Sequence, residues 1–426
     1  MDPVINSALV QAVSGASHSM ALTCNGQVFA WGQNSYGQLG DGTSEDRSTP
    51  VDVPGLEDVV FISAGFQHSM ALTRDGKVFS WGCNDNGQLG DGTREHRSTP
   101  VAVQDIEDVI SISAARGYSL ALTRDGKVFA WGWNVFGTLG DGTRKDRLTP
   151  VAVKDFEDVI SISAGEYHSM ALKHDGKVFA WGSNQYGKLG DGTSEDRLTP
   201  VAVQDIEDVI SISAGSSQSM ALTRDGKVFA WGCNYHGELG DGTREHQSTP
   251  VALQDLEDVI SISAGSDHSI ASTRDGNLFA WGYNGDGRLG NGPLDYWSTP
   301  APLACPGLED VISISAGGEH SMALMRVGKV FAWGCNQYGQ LGFSPQLNNW
   351  GVRACHGQTF CPITHDNVEQ WRAACLISPS GTKFPYTTTA ILEWLRKKNT
   401  NPASNEIIAN VTEVVNLLEA AAKFQG

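Results

Sequence analysis

The sequence is organised around one eight-residue motif that returns at a fixed interval. The motif reads DGKVFAWG at residues 125–132, and six further copies, identical or altered, precede and follow it. A fixed period of this length indicates a repeated supersecondary unit. We therefore expect a chain built from seven copies of one small unit. The tryptophans of the copies are 50 residues apart, with a last step of 52 residues, and they are Trp31, Trp81, Trp131, Trp181, Trp231, Trp281 and Trp333.

One repeat contains the signals of four short β-strands. In the third repeat, apolar and small polar residues alternate at 109–114, and a second strand-like run follows at 118–123. An Asp-Gly pair, which is a strong hairpin signal, separates this run from a third at 128–132. The fourth run, 149–153, begins with Thr-Pro, and proline is confined to sheet edges. Four antiparallel strands in each of seven units predict an all-β, seven-bladed β-propeller over residues 1–342.

The sequence leaves open which segment completes the last blade. The seventh unit reaches Leu341 and Gly342 without a following strand of the Thr-Pro-Val-Ala-Val type. Residues 1–3 match the end of such a strand, and residues 351–355 lie at the expected distance after Leu341. Register alone does not choose between them. Residues 343–357 are therefore interpreted as a linker, which in the second case includes the last propeller strand.

Composition and charge exclude several classes of function. The net charge is −18, and residues 1–342 carry 23 basic against 42 acidic side chains. Such a surface repels phosphate backbones, so direct binding to nucleic acid is disfavoured. No apolar run is long enough for a transmembrane helix, and the first residues lack the features of a secretory signal. Cysteines without disulfide-type spacing suit a reducing compartment, so we expect a cytoplasmic protein, with a nuclear location as the alternative.

The framework of the repeat resembles a known family. The pattern Gly-x-x-His-Ser, followed by Val-Phe-Ala-Trp-Gly-x-Asn-x-x-Gly-x-Leu-Gly, resembles the repeats of the regulator of chromosome condensation family. Kelch repeats have a similar period but need a Gly-Gly doublet in every unit, and here only Gly317-Gly318 occurs. The founding member of the family is an exchange factor for a Ran-like GTPase. Exchange needs an inserted wedge, and the uniform blades offer only the extra residues at 304–307, so the resemblance favours binding of a GTPase over exchange.

Variation among the blades concentrates at two loop positions, the residues around Gly-x-x-His and the pair inside Asn-x-x-Gly. Because the framework hardly changes, we interpret the variable loop pairs as a protein-binding rim on a rigid ring, with neutral variation of exposed loops as the alternative. Aromatic and arginine side chains often anchor interfaces. The histidines are spread around the ring, which favours framework hydrogen bonding over a metal site. The predicted rim residues are Phe66, Arg116, Tyr118, Glu166, Tyr167, Asp267, His268 and Glu319.

A different pattern begins after the last repeat. Its order of motifs resembles a U-box, the metal-free relative of the RING domain, and implies a small α+β domain over residues 358–426. Helical patterns are predicted at 388–398 and at about 410–424. The motifs that carry the resemblance are CPIT at 361–364, PSGTKF at 379–384, ILEWL at 391–395 and Asn-Pro at 401–402.

Zinc binding is the rival interpretation of this segment. Five candidate ligands lie close together in the sequence: Cys355, His356, Cys361, His365 and Cys375. No Cys-x-x-Cys pair is present, and a RING domain binds two zinc ions with more ligands than the segment offers. The sequence therefore favours the metal-free form, with no metal and no cofactor.

The resemblance implies the activity of an E3 ubiquitin ligase. U-box proteins hold a ubiquitin-charged conjugating enzyme (E2) and present its thioester to a substrate lysine, so they need no nucleophile of their own. The E2 contacts of the family fall on Ile363, Trp394 and Pro402, although Ile363 and Trp394 are also candidates for the core of a small domain. The family often has an arginine that clamps ubiquitin, and this chain has Asn405 at that position.

Three functions therefore follow from the sequence. The main prediction is an E3 ubiquitin ligase whose propeller binds a protein substrate and whose C-terminal segment binds E2 and ubiquitin. The alternatives are an exchange factor or binding partner of a Ran-like small GTPase, and a non-catalytic scaffold. The near-identical blades suggest recent internal duplication, which would suit a bacterial effector acting in the host cytosol.

Overall fold

The computed structural model of the chain forms seven antiparallel four-stranded sheets, the blades of a propeller. It describes residues 8–254, 256–290, 298–305, 307–308 and 310–343, together with the backbone of Cys361–Pro362. Each blade uses four strands that are consecutive in the chain. The first strand of each blade contacts the first strand of its neighbours, so these seven strands surround the axis. The predicted all-β, seven-bladed architecture is confirmed.

The strands are five to seven residues long in every blade, except for the two-residue last strand of blade 7. Blades 1 to 3 contain β1 Leu9–Ser14, β2 His18–Thr23, β3 Val28–Gly32, β4 Arg47–Asp52, β5 Val59–Ala64, β6 His68–Thr73, β7 Val78–Gly82, β8 Arg97–Ala102, β9 Val109–Ala114, β10 Tyr118–Thr123, β11 Val128–Gly132 and β12 Arg147–Ala152. Blades 4 and 5 contain β13 Val159–Ala164, β14 His168–Lys173, β15 Val178–Gly182, a 3-10 turn at Gln185–Gly187, β16 Arg197–Ala202, β17 Val209–Ala214, β18 Gln218–Thr223, β19 Val228–Gly232 and β20 Gln247–Ala252. Blades 6 and 7 contain β21 Val259–Ala264, β22 His268–Thr273, β23 Leu278–Tyr283, β24 Ser298–Ala304, β25 Val311–Ala316, β26 His320–Met325, β27 Val330–Gly334 and β28 Cys361–Pro362.

Register within a blade follows the predicted hairpin. In blade 3, β10 and β11 pair without interruption and are joined by the Asp-Gly turn. Gly126 in this turn has φ +80°, a conformation that glycine adopts at little cost. The fourth strand begins at Arg147, two residues before the predicted start, because Gly132 pairs with Arg147 across an irregularity in the ladder.

The apolar core lies between neighbouring blades, and the tryptophan of each repeat joins one blade to the preceding one. Trp131 is fully buried, and its Nε1 donates a hydrogen bond of 2.9 Å to the carbonyl of Gln88 in blade 2. The tryptophan of every blade makes the equivalent bond, and Trp31 makes it to Gln340 where the ring closes. A buried indole N–H without a partner would be unfavourable, so this bond specifies how the blades stack.

Blade 7 takes its fourth strand from neither of the two segments expected from the sequence, residues 1–3 and 351–355. Cys361–Pro362 pairs with β27, with Ala332 opposite Cys361. In blade 1, Ala30 lies opposite Val51, so Cys361 occupies the position of Val51. The signal was present, because TFCPI at 359–363 matches the Thr-Pro-Val-Ala-Val strand in register. Two residues of the CPIT motif therefore complete the propeller.

The chain divides after Thr364 into two compact units, Met1–Thr364 and His365–Gly426. The helices predicted at 388–398 and 410–424, and the rest of the U-box-like segment, lie outside the described residues. In the part of the chain that the structure describes, no helix is long and apolar enough to cross a membrane.

Candidate partner-binding rim

The histidines of the Gly-x-x-His step form part of the framework beneath the rim. In blade 2, His68 Nε2 lies 2.9 Å from Ser119 Oγ, and this hydroxyl donates to the carbonyl of Gln88 at 2.9 Å. Because the hydroxyl hydrogen goes to the carbonyl, the serine accepts a hydrogen bond from Nε2–H of the histidine. Burial lowers the pKa of His68 to about 3, so the ring is neutral near pH 7. The same Nε2 contact to a serine of the next blade is made by His18, His168, His268 and His320.

Two of the predicted rim residues are part of this framework rather than of the surface. Tyr118 and His268 are both fully buried. Tyr118 takes the place of the histidine in blade 3, and its hydroxyl donates to the carbonyl of His168 at 2.5 Å. His268 lies 2.8 Å from Ser321. The prediction that these two side chains meet a partner is wrong, because the hairpin places the first residue of the second strand under the loop.

Arg116 is the centre of the exposed part of the rim, at the junction of blades 2, 3 and 4. Its guanidinium lies 5.2 Å from the ring centroids of both Phe66 and Tyr167, so it is held between two aromatic side chains. It also contacts the hydroxyl of Tyr167, and it lies 3.4 Å from a carboxylate oxygen of Glu166. Four of the predicted residues therefore meet in one group.

Two further aromatic residues extend this group. The rings of Trp133 and Phe136 lie 5.4 Å apart, and the ring of Tyr167 lies 5.9 Å from the first and 6.0 Å from the second, all in edge-to-face arrangements. Sequence reasoning did not select Trp133, although the residue after Trp-Gly is a cysteine or a polar residue in most blades. We call Phe66, Arg116, Trp133, Phe136 and Tyr167 the aromatic–arginine cluster.

One partly buried and one fully buried charged residue lie beside the cluster. Burial raises the pKa of Glu166, and Ser266 of blade 6 donates to its carboxylate at 3.2 Å, so this side chain reaches past blade 5. The nearby cavity of about 100 Å³ at the axis is lined mainly by glycine, alanine and serine. Lys188 lies under the cluster with Nζ 5.3 Å from the ring of Tyr167, and burial lowers its pKa to about 8. These contacts hold the cluster in one arrangement.

The opposite side of the rim has a different character. Asp267 on blade 6 and Glu319 on blade 7 are half-buried, and their carbonyls accept hydrogen bonds from Tyr283 and Cys335. The described rim therefore presents Arg116 and aromatic side chains on blades 2 to 4 and the side chains of Asp267 and Glu319 on blades 6 and 7, where Arg288 also donates to the carbonyl of Gly318.

Comparison with known proteins identifies the family. The family model described as RCC1-like domain matches residues 2–165 and 152–306. The chain belongs to the RCC1-like domain family. Models of the regulator of chromosome condensation (RCC1) repeat also match residues 311–340 and 327–363. The last match includes Cys361–Pro362, in agreement with their place in blade 7.

Solved structures of RCC1 proteins share this propeller. Yeast RCC1 (Prp20), in its complex with Kap60, superposes with a TM-score of 0.68 at 25% identity, over 80% of this chain and 85% of that chain. Prp20p from Saccharomyces cerevisiae, studied for its binding to Gsp1p and histones, gives 0.68 at 25% identity, over 86% and 88%. Human WBSCR16 gives 0.67 at 25% identity, over 74% and 90%.

This RCC1-like chain also has short matches to human proteins named as E3 ligases. It is 46% identical over 59 residues to the human protein named "Probable E3 ubiquitin-protein ligase HERC3", which is 13% of this chain and 6% of the relative. It is 41% identical over 49 residues to the human E3 ubiquitin-protein ligase HERC2, which is 12% of this chain and 1% of the relative. The chain thus matches only a small fraction of the length of these relatives.

One group of side chains in the RCC1-like propeller consists of residue types that bind metals, but its hydrogen bonding and the raised pKa of its cysteine disfavour metal binding. Cys83, Asp85 and His96 place one ligand atom each within 4.8 Å of one another. His96 Nδ1 accepts a hydrogen bond of 3.0 Å from the backbone of Asn84, so the proton of the neutral ring lies on Nε2, the nitrogen that faces Asp85. Burial raises the pKa of Cys83 to about 11, which disfavours the thiolate that binds metals.

The four residues assigned to the ligase mechanism, Ile363, Trp394, Pro402 and Asn405, lie outside the described residues. Their roles remain those implied by the U-box resemblance. The RCC1 repeat match extends through Ile363, so this residue belongs to both sequence patterns.

Proposed function

We propose that this RCC1-like protein recognises a protein partner through the aromatic–arginine cluster and acts as an E3 ubiquitin ligase on it. The observation that carries the recognition role is the cluster itself. It combines an exposed arginine held between two aromatic rings with a further pair of aromatic side chains. Tryptophan, tyrosine and arginine are the residues that most often dominate binding energy at interfaces.

The rigidity of the propeller supports this role. Glu166 and Lys188 hold the cluster from below through contacts with Arg116, Ser266 and Tyr167. Binding then requires little ordering of side chains, which preserves affinity. The same positions vary from blade to blade above a uniform framework, so a partner can distinguish this side of the ring from the others.

The ligase part of the proposal rests on the motifs of the C-terminal segment. In the proposed mechanism, Ile363, Trp394 and Pro402 bind an E2, and a partner held on the propeller presents a lysine to the E2–ubiquitin thioester. The amine attacks the thioester carbonyl, the E2 cysteine leaves as the thiol, and an isopeptide bond forms. The protein contributes only proximity and orientation, which are worth large factors in rate.

The first experiment is an autoubiquitination assay with a panel of E2 enzymes. The wild-type protein should form ubiquitin chains, and Ile363→Ala, Trp394→Ala and Pro402→Ala should each lose them. Arg116→Ala is the matched control, because the proposal places Arg116 in partner binding and not in E2 binding. Thermal melting of every variant separates loss of activity from loss of fold, which matters for Ile363 because it follows β28. Absence of chains with all E2 enzymes, from folded protein, would refute the ligase role.

The substitution Asn405→Arg tests the same mechanism through an expected increase in ligase activity. It restores the arginine that often clamps ubiquitin in the U-box family. We expect faster chain formation by this variant, while Asn405→Gln, which adds length without charge, should behave like the wild type. Equal rates for all three proteins would remove Asn405 from the mechanism.

Binding of a small GTPase is the second candidate function. It is favoured by the similarity to Prp20p, whose binding to Gsp1p has been studied. Stimulated release of labelled nucleotide from a Ran-like GTPase measures exchange, and pull-down of the same GTPase measures binding. Pull-down that is lost with Arg116→Ala and is not accompanied by nucleotide release would assign the cluster to GTPase binding without exchange.

A further inference from the structure

Seven exposed aliphatic side chains surround the axis at the end of the propeller opposite the rim. Each is the second residue of the first strand of its blade, and the exposed fraction is between 39% and 51% in every case. Because the first strands encircle the axis, the seven side chains form a ring. This aliphatic ring consists of Val10, Val60, Ile110, Ile160, Ile210, Ile260 and Ile312.

A β-bulge accompanies each member of the ring. In blade 3, Val109 pairs with Thr123 and Ser111 with Leu122, so Ile110 between them has no partner in the ladder. The same irregularity occurs at the start of the first strand in all seven blades. A bulge turns its extra residue out of the regular pattern, so the aliphatic side chains are directed away from the core. The four residue steps from Ile110 to Ala114, where the strand ends, correspond to about 13 Å of extended chain, so the ring is separate from the aromatic–arginine cluster.

The recurrence of an exposed aliphatic residue in every blade is the reason to regard the ring as a binding site. Single exposed isoleucines are common on folded proteins and need no explanation. Here one exposed aliphatic side chain recurs at the same place in all seven first strands around one axis, and groups of exposed apolar side chains mark interaction sites. The packing of the propeller does not require these side chains, because the adjacent residue in each strand, such as Val109, is the one buried in the core.

Acidic loops lead directly into the ring. The residues before the first strands of blades 2 to 7 carry fourteen described and exposed carboxylates, of which the innermost are Glu-Asp pairs such as Glu107 and Asp108. Within the described part of the chain, none of these fourteen lies within ion-pair distance of a lysine or arginine. With the hairpins of this end included, the described residues carry nineteen carboxylates against twelve lysine and arginine side chains, a net charge of −7. The apolar ring is therefore bordered by negative charge.

We propose that this end of the propeller binds a basic peptide segment of another protein, with an aliphatic side chain of that segment seated on the ring. The ring supplies the apolar contact, and the Glu-Asp pairs attract lysine and arginine residues on either side of it. Attraction of this kind increases the association rate and weakens as salt screens the charges, over about 8 Å at physiological ionic strength. The site is independent of the cluster and of the ligase mechanism.

The experiment uses the full-length protein and a fluorescein-labelled peptide of alternating lysine and leucine. Two control peptides replace leucine by serine and lysine by glutamate. Fluorescence anisotropy should show saturable binding of the Lys-Leu peptide that weakens with added salt, and weaker binding of both controls. The combined variant Ile110→Ser, Ile160→Ser, Ile210→Ser should lose about tenfold or more in affinity, which corresponds to about 1.4 kcal/mol or more. These side chains are exposed, so the variant should fold.

A second variant and a matched control complete the test. Glu107→Gln, Glu157→Gln and Glu207→Gln together should weaken binding at low salt and flatten its salt dependence. Val135→Ser removes an exposed aliphatic side chain at the other end of the propeller and should bind like the wild type. The proposal fails if no saturable binding occurs. It also fails if the Lys-Ser peptide binds as well as the Lys-Leu peptide, or if the ring variant binds like the wild type, because the ring would then be only a product of blade duplication.

Discussion

At the scale of single residues, the repeated motif is explained by close contacts around the tryptophans. Gly240 has φ +76°, and a Cβ atom placed on it would lie 2.6 Å from Trp281 Nε1. The nitrogen cannot move away, because it donates to the carbonyl of Glu238 at 3.0 Å. The Gly-x-Leu-Gly part of the repeat is therefore a packing requirement and not a sign of catalysis.

This contact predicts a difference between two neighbouring glycines. Gly242 has φ +82°, close to that of Gly240, but a Cβ atom there would meet nothing within 4 Å. Gly242→Ala should lower the free energy of unfolding by about 1–2 kcal/mol, the cost of a left-handed conformation for alanine. Gly240→Ala should lower it by about 1–3 kcal/mol more, because of overpacking against Trp281. Urea denaturation of the two variants measures the difference, and equal losses would contradict this account of the motif.

At the scale of elements, the last blade depends on a strand that is distant in sequence. The three other strands of blade 7 end at Gly334, whereas its fourth strand is Cys361–Pro362. The outer edge of β27 is thereby paired, and an unpaired edge is a surface at which chains aggregate. The residues just before Thr364 are consequently part of the propeller unit.

Truncation tests the role of this strand. A chain that ends at Thr364 keeps β28, and a chain that ends at Phe343 lacks it. We expect the shorter chain to melt at a lower temperature and to aggregate more readily, because blade 7 then exposes one edge. Light scattering and thermal melting of the two chains measure this. Equal melting temperatures and equal solubility would show that β28 does not stabilise the propeller.

At the scale of the whole molecule, neutral histidines stabilise the propeller because each contacts the next blade. Burial lowers the pKa of His18 to about 4 and those of His68 and His320 to about 3, and it holds those of His168 and His268 well below 6.5. In the unfolded chain these histidines regain their ordinary pKa near 6.5 and bind protons that the folded chain does not bind. The contribution of these histidines to stability is therefore complete above pH 6.5 and falls as the pH is lowered from 6.5 towards 4.

The buried histidines predict that the free energy of unfolding begins to fall in weak acid, below about pH 6.5. Each buried histidine should reduce the free energy of unfolding by about 1.4 kcal/mol per pH unit in this window. Denaturant titrations at several pH values between 7 and 4 measure the slope. His68→Gln is the matched control, because Gln218 occupies this position in blade 5 and its amide donates to backbone carbonyls of blade 6. The variant should have a shallower slope by one proton, and an unchanged slope would remove His68 from the effect.

The sequence by itself determined the period, the number of blades and the four strands of blades 1 to 6, because hairpin signals and apolar alternation are local and are repeated along the chain. It also located the rim positions, since differences between otherwise uniform blades are visible without coordinates. Tertiary structure decided which of those side chains are accessible. Tyr118 and Arg116 are two residues apart, yet one is fully buried and the other is exposed between two aromatic rings.

The source of the closing strand and the existence of the aliphatic ring were also decided by tertiary structure. A two-residue strand carries too little pattern to be recognised alone, and only its pairing with β27 assigns Cys361–Pro362 to blade 7. Ile110 and Ile112 look alike in a strand that alternates apolar and polar residues, but a bulge at Ile110 exposes one and leaves the other in the core. The physical reason is the same in both cases: pairing and burial depend on residues far away in the chain, and a local pattern does not contain them.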